Sequence, residues 1–349
     1  MGGRSVGTSA TERNGPMRTQ GDIMRPIIAL LAGILSFMGS SHACAQAAEP
    51  ASAYPSRPIR IVVPYPAGGA TDTITRKIGD RLRQRLNWIV VVDNRPGANT
   101  IIGTEVVARA PADGYTLLLN APAGIVQSPW LQDKLPYDPI KDLQPLIMVA
   151  RVPTALITPV NVPADDFAQL ARYAKSSRGK ISYASFGVGS TSHIFGEVLN
   201  QQLAIDAVHV PYRGDAPAMQ DLVAGRVQYM FNNTLSALNF SRQGTVKIMA
   251  VTGDRRVAGL TDVPIMSELG MKQFDLIGWY SIFAPTGVPQ PITEKIYAEL
   301  NEAVRSSEIG DFLRAQAVIP DGTGLDALAR RIKDEHAAWG ELIKAFNIH

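Results

Sequence analysis

The chain has 349 residues, 34 basic and 31 acidic side chains, five histidines and a single cysteine. The near balance of charge provides no field to draw nucleic acid or an anionic membrane surface, and one cysteine excludes a disulfide framework. The length is enough for two domains of ordinary size.

The first 23 residues are polar and lack apolar periodicity. Met24-Arg25-Pro26 then leads into an apolar run of twelve residues, 27–38, and small residues follow, including Ala43-Cys44-Ala45. A positive start, a short apolar core and an A-x-A site define a secretory signal peptide. The run falls short of the ~20 apolar residues of a membrane span. Cleavage is expected after Ala45, with translation starting at Met17 or Met24. Cys44 leaves a lipoprotein cysteine as the alternative, although Ser41 stands where such sites carry leucine. The first 45 residues hold four of the basic and two of the acidic side chains, so the remainder is close to neutral and free of cysteine. An exported chain without disulfides needs a sizeable core to stay folded.

The run 59–63 (IRIVV) reads as a buried strand of a parallel sheet. It breaks at Pro64 and Pro66, which cannot donate to a ladder, and enters the small-residue loop Ala67-Gly68-Gly69-Ala70. From Thr71 a helix is predicted, because Ile74, Ile78, Leu82 and Leu86 recur every four residues on one face. A strand, a glycine turn and a fresh helix start leave backbone N–H groups free at the positive end of a helix dipole, an arrangement suited to anions. A plain turn is the other reading. Neither a P-loop lysine nor a G-x-G-x-x-G pattern is present here.

Strands are predicted over 88–93 and 115–120, with a turn at 94–99 and a short helix over 100–109 between them. Three β-α steps with continuous apolar strands imply a doubly wound parallel sheet. Asn120-Ala121-Pro122-Ala123-Gly124 leaves the carboxyl end of the third strand, on the edge where the Gly68 loop also lies, and ligands of open α/β sheets bind at that edge. The segment 146–159, interrupted by Pro153, is extended long enough to run from one domain into a second. A second α/β unit is then predicted: strands at 181–185, 207–212, 228–232 and 246–252, with helices at 164–175, 191–203, 216–224 and 234–241. Residues 274–285 are the predicted return crossing. Helices at 290–306, 308–315 and 325–346 are expected to cover the first domain. The fold class is α/β: a two-lobed binding protein with two doubly wound sheets joined by two crossing strands and a ligand cleft between them. The boundaries are 1–45 for the signal peptide, 46–152 with 278–349 for lobe 1, and 153–277 for lobe 2.

Phe186-Gly187-Val188-Gly189-Ser190-Thr191-Ser192-His193 mirrors the first loop in the second unit. Ser190, Thr191 and Ser192 can cap the helix or bind a carboxylate. Ser192 occupies the place of the third glycine of a dinucleotide fingerprint, and G-x-S-x-G does not fit. His193 lies in the first helical turn, where the dipole disfavours a charged imidazole; bracing the loop and donating to a ligand both stay open. His209 reads as structural, and His42, His336 and His349 are scattered. No cluster has metal-ligand spacing, and no cofactor is implied. With no base, nucleophile or metal in evidence, capture is favoured over catalysis. Two glycine turns on facing lobes suit a small molecule with carboxylates at both ends, binding by cleft closure.

Several blocks then carry a resemblance. Residues 54–65 (YPSRPIRIVVPY) and 66–72 (PAGGATD) open the pattern, followed by 91–98 (VVDNRPGA) and 110–118 (APADGYTLL). Residues 135–139 (LPYDP), 209–214 (HVPYRG), 262–264 (DVP) and 284–287 (APTG) complete it. In order and spacing the chain from residue 54 onward resembles the Bug-type receptors, the periplasmic substrate-binding proteins of tripartite tricarboxylate transporters. The resemblance implies a periplasmic, monomeric receptor, with no catalytic residue, that delivers a di-, tri- or aromatic carboxylate to a membrane permease. It implies one carboxylate at the loop of Ala67, Gly68, Gly69, Ala70, Thr71 and Asp72, and Tyr65, Asn120 and Ala121 are further ligand-binding candidates on the same sheet edge. The other is expected at Gly187, Gly189, Ser190, Thr191, Ser192 and His193. Relatives that bind amino acids often carry aspartate at the position of Asn232, so asparagine there points towards a plain carboxylate. The competing readings are an exported hydrolase using Ser190 and His193, and a sensory binding protein.

Overall fold

The structure is a computed structural model and describes residues 50–177 and 179–348. The expected signal peptide, Cys44 and both candidate start sites lie outside the described residues.

The apolar run after the N-terminal segment forms β1 (Ile59–Val63), and the four-residue apolar repeat forms α1 (Ala70–Leu86), with Ile74, Ile78 and Leu82 buried. β2 (Val90–Asn94), α2 (Ile101–Ala108) and β3 (Thr116–Asn120) follow. A helical turn at Ala123–Gln127 leads into the short α3 (Ser128–Leu131). The long extended segment is two strands, β4 (Leu143–Val152) and β5 (Thr154–Pro159). They separate at Pro153, which has no N–H for a ladder. Next come α4 (Phe167–Ser176), β6 (Ser182–Ser185), α5 (Thr191–Leu203), β7 (Val208–Pro211), α6 (Asp215–Val223), β8 (Tyr229–Asn233), α7 (Thr234–Arg242) and β9 (Val246–Val251). The chain ends with β10 (Gly278–Pro285), α8 (Gln290–Arg305), α9 (Ser307–Ala315), β11 (Ile319–Pro320) and α10 (Leu325–Ala345).

These strands build two sheets, in the orders β11-β4-β10-β3-β1-β2 and β7-β6-β8-β5-β9. β1 is parallel to β2 and β3, and β6 is parallel to β7 and β8, as βαβ steps require. The sheets are nevertheless mixed, not wholly parallel as expected. β10 runs antiparallel to β3 and β4, and β5 antiparallel to β8 and β9. Topology explains this. β4 and β9 run towards the edge where the chain leaves their sheet, so β5 and β10 start from the facing edge of the other sheet and run against their neighbours.

The return differs from expectation as well. β10 begins at Gly278 and belongs entirely to the first sheet, so the crossing itself is made by residues 252–277, which contain short helical turns at Met266–Leu269 and Lys272–Phe274. The two crossings run side by side. Thr252 N–H donates to Thr154 O at 2.8 Å, Thr154 N–H donates to Thr252 Oγ1 at 2.9 Å, and Gly278 pairs with Val152.

One apolar cluster places Ile74, Ile78 and Leu82 with Ile292, Ile296 and Leu300 against the first sheet. Another packs Ala218, Met219, Leu222 and Leu238 on Ile157 and Met230 of the second. Each fully buried large side chain contributes about 1.5–3 kcal/mol. The third cluster spans both sheets, and it corrects the expectation that the C-terminal helices cover the first alone. α8 and α9 do so, but α10 buries Trp339 against Phe195 of α5, with ring centroids 5.5 Å apart. Apolar periodicity shows that a helix has a buried face without showing which layer that face meets.

Candidate functional site

After β1 the chain passes through Tyr65 and exposes residues 66–69. Gly68 takes a left-handed turn (φ 82°), and Gly69 enters α1 in an extended conformation without a side-chain cap. Asp72 closes this turn from inside. Its Oδ2 accepts Gly68 N–H at 2.9 Å and Arg76 Nε–H at 3.0 Å. Burial opposes the Asp72 charge, but the bonds from Arg76 and Gly68 outweigh it and hold the carboxyl below its usual range. One of the N–H groups expected to face a ligand, that of Gly68, is therefore occupied by Asp72. The first-turn N–H groups of α1, from Ala70 and Thr71 onward, have no intrahelical partner.

Tyr65 and Asn120 hold the carboxyl ends of β1 and β3 together. Tyr65 OH donates to Asn120 Oδ1 at 3.3 Å; the same oxygen accepts Ala121 N–H at 2.8 Å, and Asn120 Nδ2 donates to Thr104 Oγ1 at 2.9 Å. Burial raises the Tyr65 hydroxyl well above its ordinary value, and the neighbouring Tyr280 adds to the shift, so it remains a neutral donor. A Cβ on Gly124 would lie 2.3 Å from Thr100 Oγ1 and 2.9 Å from Asn120 Nδ2, which is why this turn admits only glycine.

In the second sheet the loop after β6 is wound tightly on its own hydroxyls. Ser190 caps α5: its Oγ accepts His193 N–H at 3.3 Å and donates to Gly187 O at 2.7 Å. Ser192 Oγ accepts Phe186 N–H at 3.0 Å and lies 3.1 Å from Ser190 Oγ. His193 Nδ1 accepts Gly189 N–H at 3.2 Å, so the imidazole braces the loop. Behind it His209 stacks on His193 at 4.1 Å and meets Ser185 Oγ through Nε2 at 2.6 Å. Burial lowers both imidazoles, His209 to about 4, where the adjacent His193 adds to the effect. No serine–histidine nucleophile results. Ser190 gives its proton to a carbonyl, and Ser185 is fully buried.

The loops after β2 and β3 reach the second glycine turn through residues that the sequence pattern does not single out. Asn99 Nδ2 donates to Gly189 O at 3.2 Å, and Gln127 Nε2 donates to Thr191 Oγ1 at 2.9 Å. Deeper in, Asn232 is fully buried at the carboxyl end of β8 and donates to Asp215 Oδ1 at 2.9 Å. Tyr280, next to Ser281, which pairs with Asn120, feels the Asp215 charge; burial first and that charge second push its hydroxyl up to about 12. Tyr65 and Asn120 thus lie at the carboxyl ends of parallel strands of the first sheet, and Ser190, Asp215 and Asn232 at or just beyond those of the second. The sign available in sequence was slight: a Gly-Asp pair after a predicted strand for Asp215, and lone polar residues in small or apolar runs for Asn99 and Gln127. Among the described residues no group of three or more His, Cys, Asp or Glu could hold a metal, and no helix is long and apolar enough to cross a membrane.

Known proteins resemble this chain in sequence and in fold. Residues 74–348 match the family described as tripartite tricarboxylate transporter family receptor. A relative from Pseudomonas sp. (strain P51), named for its position between tcbD and tcbE, is 36% identical over 321 residues, covering 92% of this chain and 94% of its own. The periplasmic binding protein BugD is 34% identical and superposes with a TM-score of 0.78 over 85% of this chain and 99% of its own. The R. palustris protein Rpa4515, solved with adipate, is 30% identical with a TM-score of 0.80 over 84% of this chain and 99% of its own. The chain belongs to the tripartite tricarboxylate transporter receptor family, a family of periplasmic solute-binding receptors and not of enzymes.

Proposed function

We propose that this protein is an extracytoplasmic receptor that closes on a small di-, tri- or aromatic carboxylate and delivers it to the permease of a tripartite tricarboxylate transporter. The observation that carries this reading is the approach of the two sheet edges, where the loops after β2 and β3 reach the glycine-turn helix opening of the second sheet through Asn99–Gly189 and Gln127–Thr191. The N-terminus of α1 takes one carboxylate with Tyr65 and Ala121 beside it, and the start of α5 takes the other, each as a charge-assisted contact with backbone donors. Adipate bound to a protein 30% identical supports the ligand class. Lobe 1 is residues 46–152 with 278–349 and lobe 2 residues 153–277, hinged where Val152 and Thr154 lie beside Gly278 and Thr252. The protein acts as a monomer after cleavage of its signal peptide near Ala45.

Thermal unfolding of the purified protein against a panel of carboxylates, with chromatography of each mixture, tests the proposal. Stabilisation by at least one acid without new product is expected. A protein that no carboxylate stabilises, or that converts one, would overturn it.

A further inference from the structure

The geometry points to Asp215 as the residue that sets ligand class: it receives a hydrogen-bond donor carried beside a ligand carboxylate, so that amino- and hydroxy-carboxylates are preferred to the unsubstituted acid of the same length. This rests on the receptor reading and narrows it.

Asp215 opens α6, directly after Gly214, whose φ of 110° lets the chain turn off β7 into the helix. An acidic residue in a first helical turn has an ordinary explanation in the helix dipole. That explanation needs no partner, yet Asp215 has a built one. Asn232 is fully buried, and its Oδ1 is committed to Asn233 N–H at 2.6 Å and Asn233 Nδ2 at 3.0 Å. This fixes which end of the amide is the donor, and that donor is spent on Asp215 Oδ1. Met219 Sδ lies 2.8 Å from the same nitrogen and packs the amide in place. A buried, immobilised amide therefore holds one carboxylate oxygen of Asp215.

The other oxygen is left for something else. Among the described residues Asp215 forms no ion pair with a lysine or arginine, and it lies just past the carboxyl end of β7, hydrogen-bonded to Asn232 at the carboxyl end of β8. That is the sheet edge at which open α/β folds bind ligands, and Asp215 is only part-buried there. Everything else built into this region, two helix N-termini and the Tyr65 hydroxyl, favours anions. A plain dicarboxylate meets Asp215 as a like charge in a partly desolvated space. A ligand with an ammonium or hydroxyl next to its carboxylate turns the same contact into a charge-assisted hydrogen bond. Sites built around a polar group discriminate strongly against analogues that leave it unpaired. Asn232 is neutral, but the carboxylate it holds supplies the charge whose absence at position 232 suggested a plain acid.

Calorimetry on the full mature chain tests this with two series of matched length: succinate, malate and aspartate, then adipate, 2-hydroxyadipate and 2-aminoadipate. In at least one series a substituted acid is expected to bind tenfold or more tightly than its parent. Asp215→Asn, which keeps an acceptor for Asn232, should shrink that ratio below threefold and tighten binding of the parent acid; Asp215→Ala should do the same. A parent acid bound as tightly as both its substituted partners, or a preference that survives in Asp215→Ala, overturns the role of Asp215 and leaves the receptor reading intact. Failure of every acid in both series to bind would instead overturn the carboxylate reading itself.

Discussion

Gln127 Nε2 lies 2.9 Å from Thr191 Oγ1, a hydrogen bond that ties a fully buried side chain of the first sheet's edge to the first residue of the helix opening the second. The bond forms only when the two edges are close, so in a closing receptor it belongs to the closed state and adds to ligand affinity. Thr191→Val removes the acceptor at nearly constant volume. A neutral hydrogen bond nets about 1 kcal/mol, which is about fivefold in affinity. We predict that loss for Thr191→Val, expressed mainly as faster dissociation. The double variant with Gln127→Ala should lose less than the sum of the two single changes, as residues sharing one contact do. Strict additivity in calorimetry would show that the bond does not report on closure.

Asp72 stabilises the first ligand loop before any ligand arrives. It ties Gly68 N–H to Arg76, whose guanidinium lies 2.9 Å from Asp72 Oδ1. Arg76 is half exposed, so solvent screens the pair, and roughly 1 kcal/mol is a fair size for the whole device. The folded carboxyl titrates below its unfolded value, so its contribution is present above pH ~4 and lost as pH falls through the lower, folded value. Asp72→Asn should therefore unfold at lower denaturant at pH 7, and the difference should shrink as pH falls below ~4. A gap that does not change with pH would place the effect in packing and not in charge.

His193 and His209 act on the same acid limb of the pH profile, but at higher pH. Stacked at 4.1 Å, with His193 buried and His209 half-buried, both resist protonation in the folded chain, while the unfolded chain takes up protons near pH 6.5. Between those values the unfolded state binds more protons, so stability falls as pH falls, by at most about 1.4 kcal/mol per pH unit for each imidazole. From His209 alone, folded near 4, the loss between pH 7 and pH 5 is roughly 2 kcal/mol. His209→Asn should flatten that part of the curve in denaturant titrations. An unchanged slope would mean that the pair titrates like free histidine.

How much of this was open to reading before the structure follows from range along the chain. α5 was bounded at Thr191 and Leu203 from a glycine turn, hydroxyl caps and apolar spacing, all local. The edge location of Tyr65 and Asn120 followed from strand–turn–helix order alone. Asp215 was passed over because its importance depends on Asn232, 17 positions on, and on Tyr280 from a strand inserted antiparallel in the other sheet. β11, two residues long and containing Pro320, carries no strand pattern at all and exists because β4 offers it a free edge.

Trp339 shows the same limit in the core. Fully buried in α10, it lies against Phe195 of α5 within the apolar cluster that joins the two sheets. Among the described residues its Nε1 has no hydrogen-bond partner, so the indole contributes apolar contact while leaving one donor unsatisfied. Trp339→Ala removes the contact and leaves a cavity, a change that costs about 3–5 kcal/mol in well-packed cores. Trp339→Phe keeps an aromatic ring against Phe195 and deletes the orphaned donor, so part of its cavity cost is offset and the loss should stay below half that of alanine. Because α10 is shared between the sheets, we also expect the alanine variant to broaden the unfolding transition measured by calorimetry, with the second sheet melting first. A phenylalanine variant that loses as much as alanine, or a sharp single transition for the alanine variant, would show that aromatic packing at this joint does not couple the two sheets.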